Sequence, residues 1–246
     1  MDLPSIAGLI EYYHAAAGAP VKSTWLAAIK AGNYASWPGL SYALAAKYCP
    51  CPNATLKGHM AQSRQHVRST QPRPDCTLPP DHDATPTPES NVVHLCELPL
   101  SRLYTDDTGR FPIRAQSGNQ YIMVAYHTML NAILIQPFTT KHDRHRLAAA
   151  DTIMTRLQRR QLPVDTIILD NEASADYRRN ITDKWHCTYQ LVPPDMHRRN
   201  AAERAIRTFK AHFIAILAGI DTAFPANRWD LLLPHAELTV NLLRQS

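Results

Sequence analysis

Three carboxylates draw attention by where they fall in the chain. Asp106 follows an apolar stretch in YTDDTGRF, and Asp170 closes TIILD. Glu203 lies between Met196 and Lys210, where every other charged side chain (Arg198, Arg199, Arg204, Arg207, Lys210) is cationic. Carboxylates offer hard oxygen donors, and three of them converging would repel one another unless a divalent cation such as Mg²⁺ or Mn²⁺ neutralised them. Two such ions about 3.5–4 Å apart activate a nucleophile and stabilise a leaving oxygen in phosphoryl transfer. Taken singly, each residue has an ordinary use. An Asp after a strand forms a turn or a cap, and a Glu in a first helical turn complements the macrodipole. The chemistry therefore depends on whether the chain brings the three together.

The elements that would position them can be read from periodicity. VVHLCELPLSRLYTD is strand-like, TGRF is a turn, and YIMVAYH and AILIQPF are compact apolar runs joined by a short connection, as in a meander. HRLAAADTIMTRLQRR carries Leu147, Ala150, Met154 and Leu157 on one stripe, hence an amphipathic helix. TIILD is a short buried strand, SADYRRNITDK is helical, and CTYQLV is another strand before a Pro-Pro break. A long helix is predicted from near Arg199 to about Ala218, with Ala202, Ile206, Phe209, Phe213 and Ile216 on its buried face. DLLLPHAELTVNLLR supplies one more helix, disturbed at Pro234. The order β-β-β-α-β-α-β-α predicts an α/β fold of RNase H-like type, a mixed five-stranded sheet flanked by helices. In that arrangement the first and fourth strands are neighbours, so Asp106 and Asp170 would meet, and the long helix would bring Glu203 over the same edge.

Upstream, residues 1–68 read as a small helical module, with PVKST as a turn into a helix that Ser23 or Thr24 could cap. Residues 69–90 hold six prolines in 22 positions and no hydrophobic period, so they read as an extended or disordered linker. The catalytic core is expected over 91–246, and the absence of a capping signal at Ser246 suggests a piece of a longer protein. Five scattered cysteines without a secretory signal predict reduced thiols in an intracellular protein. No apolar run approaches the roughly 20 residues a membrane span requires. The net charge of +5 permits nucleic acid as a partner, and the positive excess belongs to the C-terminal two-thirds.

YTDDTGRFP, ILDNEAS and the LVPP to HRRNAAERAIRTFK segment together resemble the catalytic core of retrotransposon integrases, most closely the copia type, over about Asn91 to Arg244. In that family the first Asp of the triad precedes a Thr-containing turn, which selects Asp106 over Asp107. The second Asp precedes Asn, which selects Asp170 before Asn171, and the Glu precedes Arg at a helix start, which selects Glu203 before Arg204. Thirty-two residues separate Asp170 from Glu203, slightly fewer than in relatives. Where relatives carry Gly before the helix, this chain has Asn200, which tolerates left-handed geometry better than most residues.

The resemblance implies metal-dependent DNA strand transfer and end processing by Asp106, Asp170 and Glu203 with two Mg²⁺ or Mn²⁺ ions. It implies homo-oligomers that act on element ends and target DNA, in the nucleus or a virus-like particle. Arg198, Arg199, Arg204, Arg207 and Lys210 would then guide the DNA backbone without reading sequence. Asp107 and Glu172, beside the triad, are expected to be structural, and Arg156, Arg159 and Arg160 to serve the end of their own helix. Two other readings stay open: a water-only RNase H-like nuclease, and an inactive or domesticated DNA-binding fragment. Relatives also carry an upstream zinc module. Here His14 matches its first His, but Ala19 stands at the second and Cys49-Pro50-Cys51 is one residue short of C-x2-C. Even with His59 as a substitute ligand, zinc is not expected.

Overall fold

In the computed structural model the described residues are 5–60, 101–169, 173–192 and 201–244. Strands β1 (Arg102–Asp107), β2 (Tyr121–His127) and β3 (Ala132–Phe138) form an antiparallel meander. β4 (Thr166–Leu169) and β5 (Thr188–Leu191) add parallel to β1 on the other side, so the sheet order is β3-β2-β1-β4-β5. This is the RNase H-like mixed sheet that the element order predicts. β2 and β3 are joined by a tight turn in which Asn131 adopts a positive φ of 47°, a region that Asn enters more readily than most residues.

Alternation along the strands divides the core into two layers. Met123 and Ala125 of β2 point to one face, where they pack with Leu103, Leu134, Ile167 and Leu169 against α5 (Asp143–Arg159) and α6 (Ala175–Asp183). Ile122 and Val124 point to the other face, with Ile133 and Ile135, against α7 (Ala201–Gly219) and α8 (Leu233–Leu242). The face predicted for α7, from Ala202 to Ile216, is buried throughout. On α5 the buried stripe is Ala149, Ala150, Ile153, Met154 and Leu157, while Leu147 is half-buried at its edge. A 3₁₀ turn over Ala226–Leu232 leads into α8, whose first turn holds Pro234, so the proline starts this helix instead of interrupting it.

β3 is an edge strand, and α8 answers its open hydrogen-bonding groups with side chains. Asn241 Oδ1 accepts from Ile133 N at 2.8 Å, Asn241 Nδ2 donates to Ile133 O at 2.7 Å, and Glu237 Oε2 accepts from Ile135 N at 2.9 Å. Arg156 of α5 donates to Ile135 O at 3.2 Å and pairs with Glu237. It therefore does more than serve the end of its own helix.

The helices α1 (Ile6–Ala16), α2 (Lys22–Lys30), α3 (Tyr42–Tyr48) and α4 (Asn53–His59) enclose a small core of Ile10, Trp25, Ala28, Tyr34 and Ala45. Ser5 and Ser41 cap α1 and α3 with their side chains. The cap residue of α2 is Val21, which makes no side-chain bond, so Ser23 and Thr24 lie inside the helix and do not cap it. These helices pack on α7: a β-carbon at Gly58 would lie 2.5 Å from Ala215 Cβ and 2.6 Å from Ala211 O. Asn33 Nδ2 also donates to the carbonyls of Leu242 and Arg244 at 2.8 and 3.0 Å. The linker expected over 69–90, and the boundaries on either side of it, fall outside the described residues. Among the described residues no helix is long and apolar enough to cross a membrane.

Candidate functional site

Two adjacent carboxylates at the end of β1 are sent to opposite faces of the sheet. Asp106 sits directly across from Val124, and residues directly opposite in an antiparallel pair share a face. Val124 packs under α7, so Asp106 belongs to the α7 side. Glu203 occupies the first turn of α7, half-buried, flanked by the buried Ala202 and the exposed Arg204. The carboxylates predicted from the first strand and the long helix are thus supplied by elements packed on one another, on one face. The Asp106 carboxylate is oriented by its own backbone, because the Asp107 N–H donates to Asp106 Oδ1 at 2.7 Å.

Asp107 points the other way, into the α5–α6 layer. Its side chain is 4% exposed and accepts from Arg146 Nε of α5 at 2.6 Å. Burial pushes the Asp107 carboxyl above its ordinary value, and Arg146 opposes that rise without cancelling it. For Arg146, burial acts to lower its pKa, but Asp107 and other acidic neighbours carry the net shift upward. Tyr177 of α6 closes this side. Its hydroxyl shares a hydrogen bond with Thr105 and is pushed up to about 12, chiefly by burial. Thr105, Asp106, Asp107, Arg146, Leu169 and Tyr177 line a cavity of about 40 Å³ behind the strand end. The expectation that Asp107 is structural fits this ion pair. Arg146 and Tyr177 carried no local signal in the sequence: Arg146 lies 39 residues from Asp107.

Asp170, Asn171, Glu172, Arg198, Arg199 and Asn200 lie outside the described residues. The preceding segment is described: Thr166, Ile167 and Ile168 of β4 run parallel beside Arg102, Leu103 and Tyr104 of β1. The remaining predicted cations are all exposed, and Arg204 and Arg207 line two neighbouring clefts that share Thr208 and Arg244. Arg204 lines a small cleft with Tyr126, Thr208 and Arg244, the last of which stacks over the Tyr126 ring at 5.3 Å. Arg207 lies at a larger cleft of about 400 Å³ between α7 and the N-terminal helices, with Thr24, His59 and His212.

The suggested zinc ligands do not gather. His14 is buried, donates from Nε2 to Pro20 O at 2.8 Å, and meets the Trp25 ring edge-on at 5.1 Å. Cys49 Sγ faces Pro50 O at 3.5 Å, Cys51 is exposed, and His59 lies on α4 beside α7. Among the described residues, no group of three or more His, Cys, Asp or Glu side chains is arranged to hold a metal ion. Asp106 and Glu203 supply two hard oxygen donors on one face, which suits Mg²⁺ or Mn²⁺ better than a softer metal.

No protein-family model matches the chain, and no curated protein matches it. Among solved structures it is similar to the catalytic core domain of BIV integrase, at 16% identity and a TM-score of 0.38, covering 58% of this chain and 80% of that one. It is also similar to a chain of the simian T-cell lymphotropic virus intasome in complex with PP2A regulatory subunit B56 gamma, at 15% identity and a TM-score of 0.42. That match covers 58% of this chain and 49% of the other, so the chain spans about half the length of that structure's chain.

Proposed function

We propose that this chain is a polynucleotidyl transferase of integrase type, the integrase segment of a copia-type retrotransposon polyprotein, joining a 3′-hydroxyl DNA end to a target phosphodiester. The observation that carries the reading is the supply of Asp106 and Glu203 to one face by β1 and α7 in an RNase H-like sheet. The three motifs quoted above support it, with Asp170 as the third carboxylate. DNA, a homo-oligomeric assembly and a nuclear or particle-borne setting belong to the same proposal.

Asp106, Asp170 and Glu203 would hold two Mg²⁺ or Mn²⁺ ions, which when bound neutralise phosphate charge and lower the pKa of the attacking hydroxyl. The protein's own part is positional. The Asp107 amide fixes one Asp106 oxygen, and α7, which carries Glu203 in its first turn, packs on the sheet face that Val124 and Asp106 share. Arg204, Arg207 and Lys210 offer exposed cations for backbone phosphates on either side, which place DNA without reading its sequence.

The test is strand transfer with element-end oligonucleotides in Mn²⁺ or Mg²⁺. The unaltered chain is expected to join ends, and Glu203→Gln to lose about a hundredfold or more of that rate, the equivalent of several kcal/mol, while remaining folded. Equal activity in the variant overturns the catalytic assignment. Products cut by water alone, with no joined strands, convert the reading to that of a nuclease.

A further inference from the structure

We propose that Arg146 is a positioning residue for the Asp106 carboxylate, acting through the backbone of Asp107; this rests on Asp106 being a metal ligand as proposed above. One short chain of contacts links Arg146 to the Asp106 carboxylate. Arg146 Nε grips Asp107 Oδ2 at 2.6 Å from α5, and the Asp107 side chain is buried on that side of the sheet. The same residue's amide donates to Asp106 Oδ1 at 2.7 Å on the other side. Asp107 is the last residue of β1, paired with Met123, and just beyond it Thr108 N still donates to Ile122 O at 2.8 Å. Arg146 adds a side-chain restraint from the α5 layer to the one the sheet supplies, on the residue whose N–H aims the neighbouring carboxylate.

Thr105 is held from the same layer by Tyr177, so the residue on each side of Asp106 is tied to a helix of the α5–α6 layer. Asp106 can then face α7 with its backbone fixed from behind. A carboxylate whose orientation is set before a cation arrives loses less entropy on binding it. Losing an outer partner of a metal ligand typically costs about 10–100-fold in metal affinity.

The experiment is Mn²⁺ titration of the whole chain by calorimetry, with circular dichroism and thermal unfolding on the metal-free protein. Arg146→Met is expected to bind Mn²⁺ about tenfold more weakly with its circular dichroism unchanged, and Arg146→Lys to recover part of that loss. Asp106→Asn is expected to abolish binding at the site. Wild-type affinity in Arg146→Met, with Asp106→Asn binding lost, overturns the positioning role and leaves the proposed function standing. Wild-type affinity in Asp106→Asn overturns the proposed site and the inference with it. If Arg146→Met does not fold, the near-isosteric Asp107→Asn decides: weakened Mn²⁺ binding supports the inference and unchanged binding overturns it.

Discussion

Gly18, just beyond the end of α1, lies so close to His212 of α7 that a β-carbon there would stand 2.5 Å from the imidazole Cε1. The contact joins the N-terminal helices to the helix that carries Glu203. His212 cannot turn away freely, because its Nε2 is bonded to Thr239 Oγ1 at 2.7 Å. Gly18 also has a φ of +85°, where an L side chain is strained even without the clash. Gly18→Ala should therefore destabilise the protein by about 2 kcal/mol, measurable by chemical denaturation.

Gly58 makes the second close approach, this time to backbone as well as side chain. Gly58→Ala would push α4 away from Ala211 and Ala215 of α7. A loss of about 1–3 kcal/mol is expected. Faster amide exchange confined to the N-terminal helices and the outward face of α7 would locate the damage.

His212 makes the same interface sensitive to acid. Burial, then repulsion from His59 and His235, lowers its pKa to about 4, whereas an unfolded histidine titrates near 6.5. A folded-state pKa below the unfolded one means that the unfolded chain binds the proton first. Stability from this group is then full above about pH 6.5 and falls as pH drops toward 4, by about 3 kcal/mol at most. His14 and His59, also lowered by burial, act in the same direction. Urea midpoints between pH 7.5 and 4.5 should fall, and His212→Gln should flatten the slope.

The α8 cover on β3 yields a different expectation. Asn241 makes two bonds to the backbone of Ile133, and Asn241→Ala would leave both groups without their partner. The cost is expected to be about 1–3 kcal/mol. The variant should also aggregate more readily on heating, because an uncovered strand edge pairs with other chains. Light scattering during a thermal ramp checks this.

The elements were largely legible because their signals are local. β2 is a compact apolar run, β3 is another interrupted only by Gln136 and Pro137 near its end, and α7 repeats its apolar residues at helical spacing, so each announces its type and buried face. The element order then limited the sheet to one familiar arrangement. The α2 cap was misread because a Ser or Thr beside a turn looks alike just outside and just inside a helix, and only the backbone angles at Val21 separate the two.

What the sequence by itself determined was that Asp106 falls at the end of the first strand and Glu203 in the first turn of the long helix, and that cations crowd around Glu203. What only the tertiary structure decided was direction. Asp106 and Asp107 are adjacent and chemically identical, yet the strand's two-residue period sends one toward α7 and the other to Arg146. Arg204 and Arg207, one turn apart, open onto different clefts because the N-terminal helices cover one flank of α7 and β2 approaches the other. Such facts depend on residues far apart in the chain, and on which neighbour occupies each face. No local pattern of side chains encodes them.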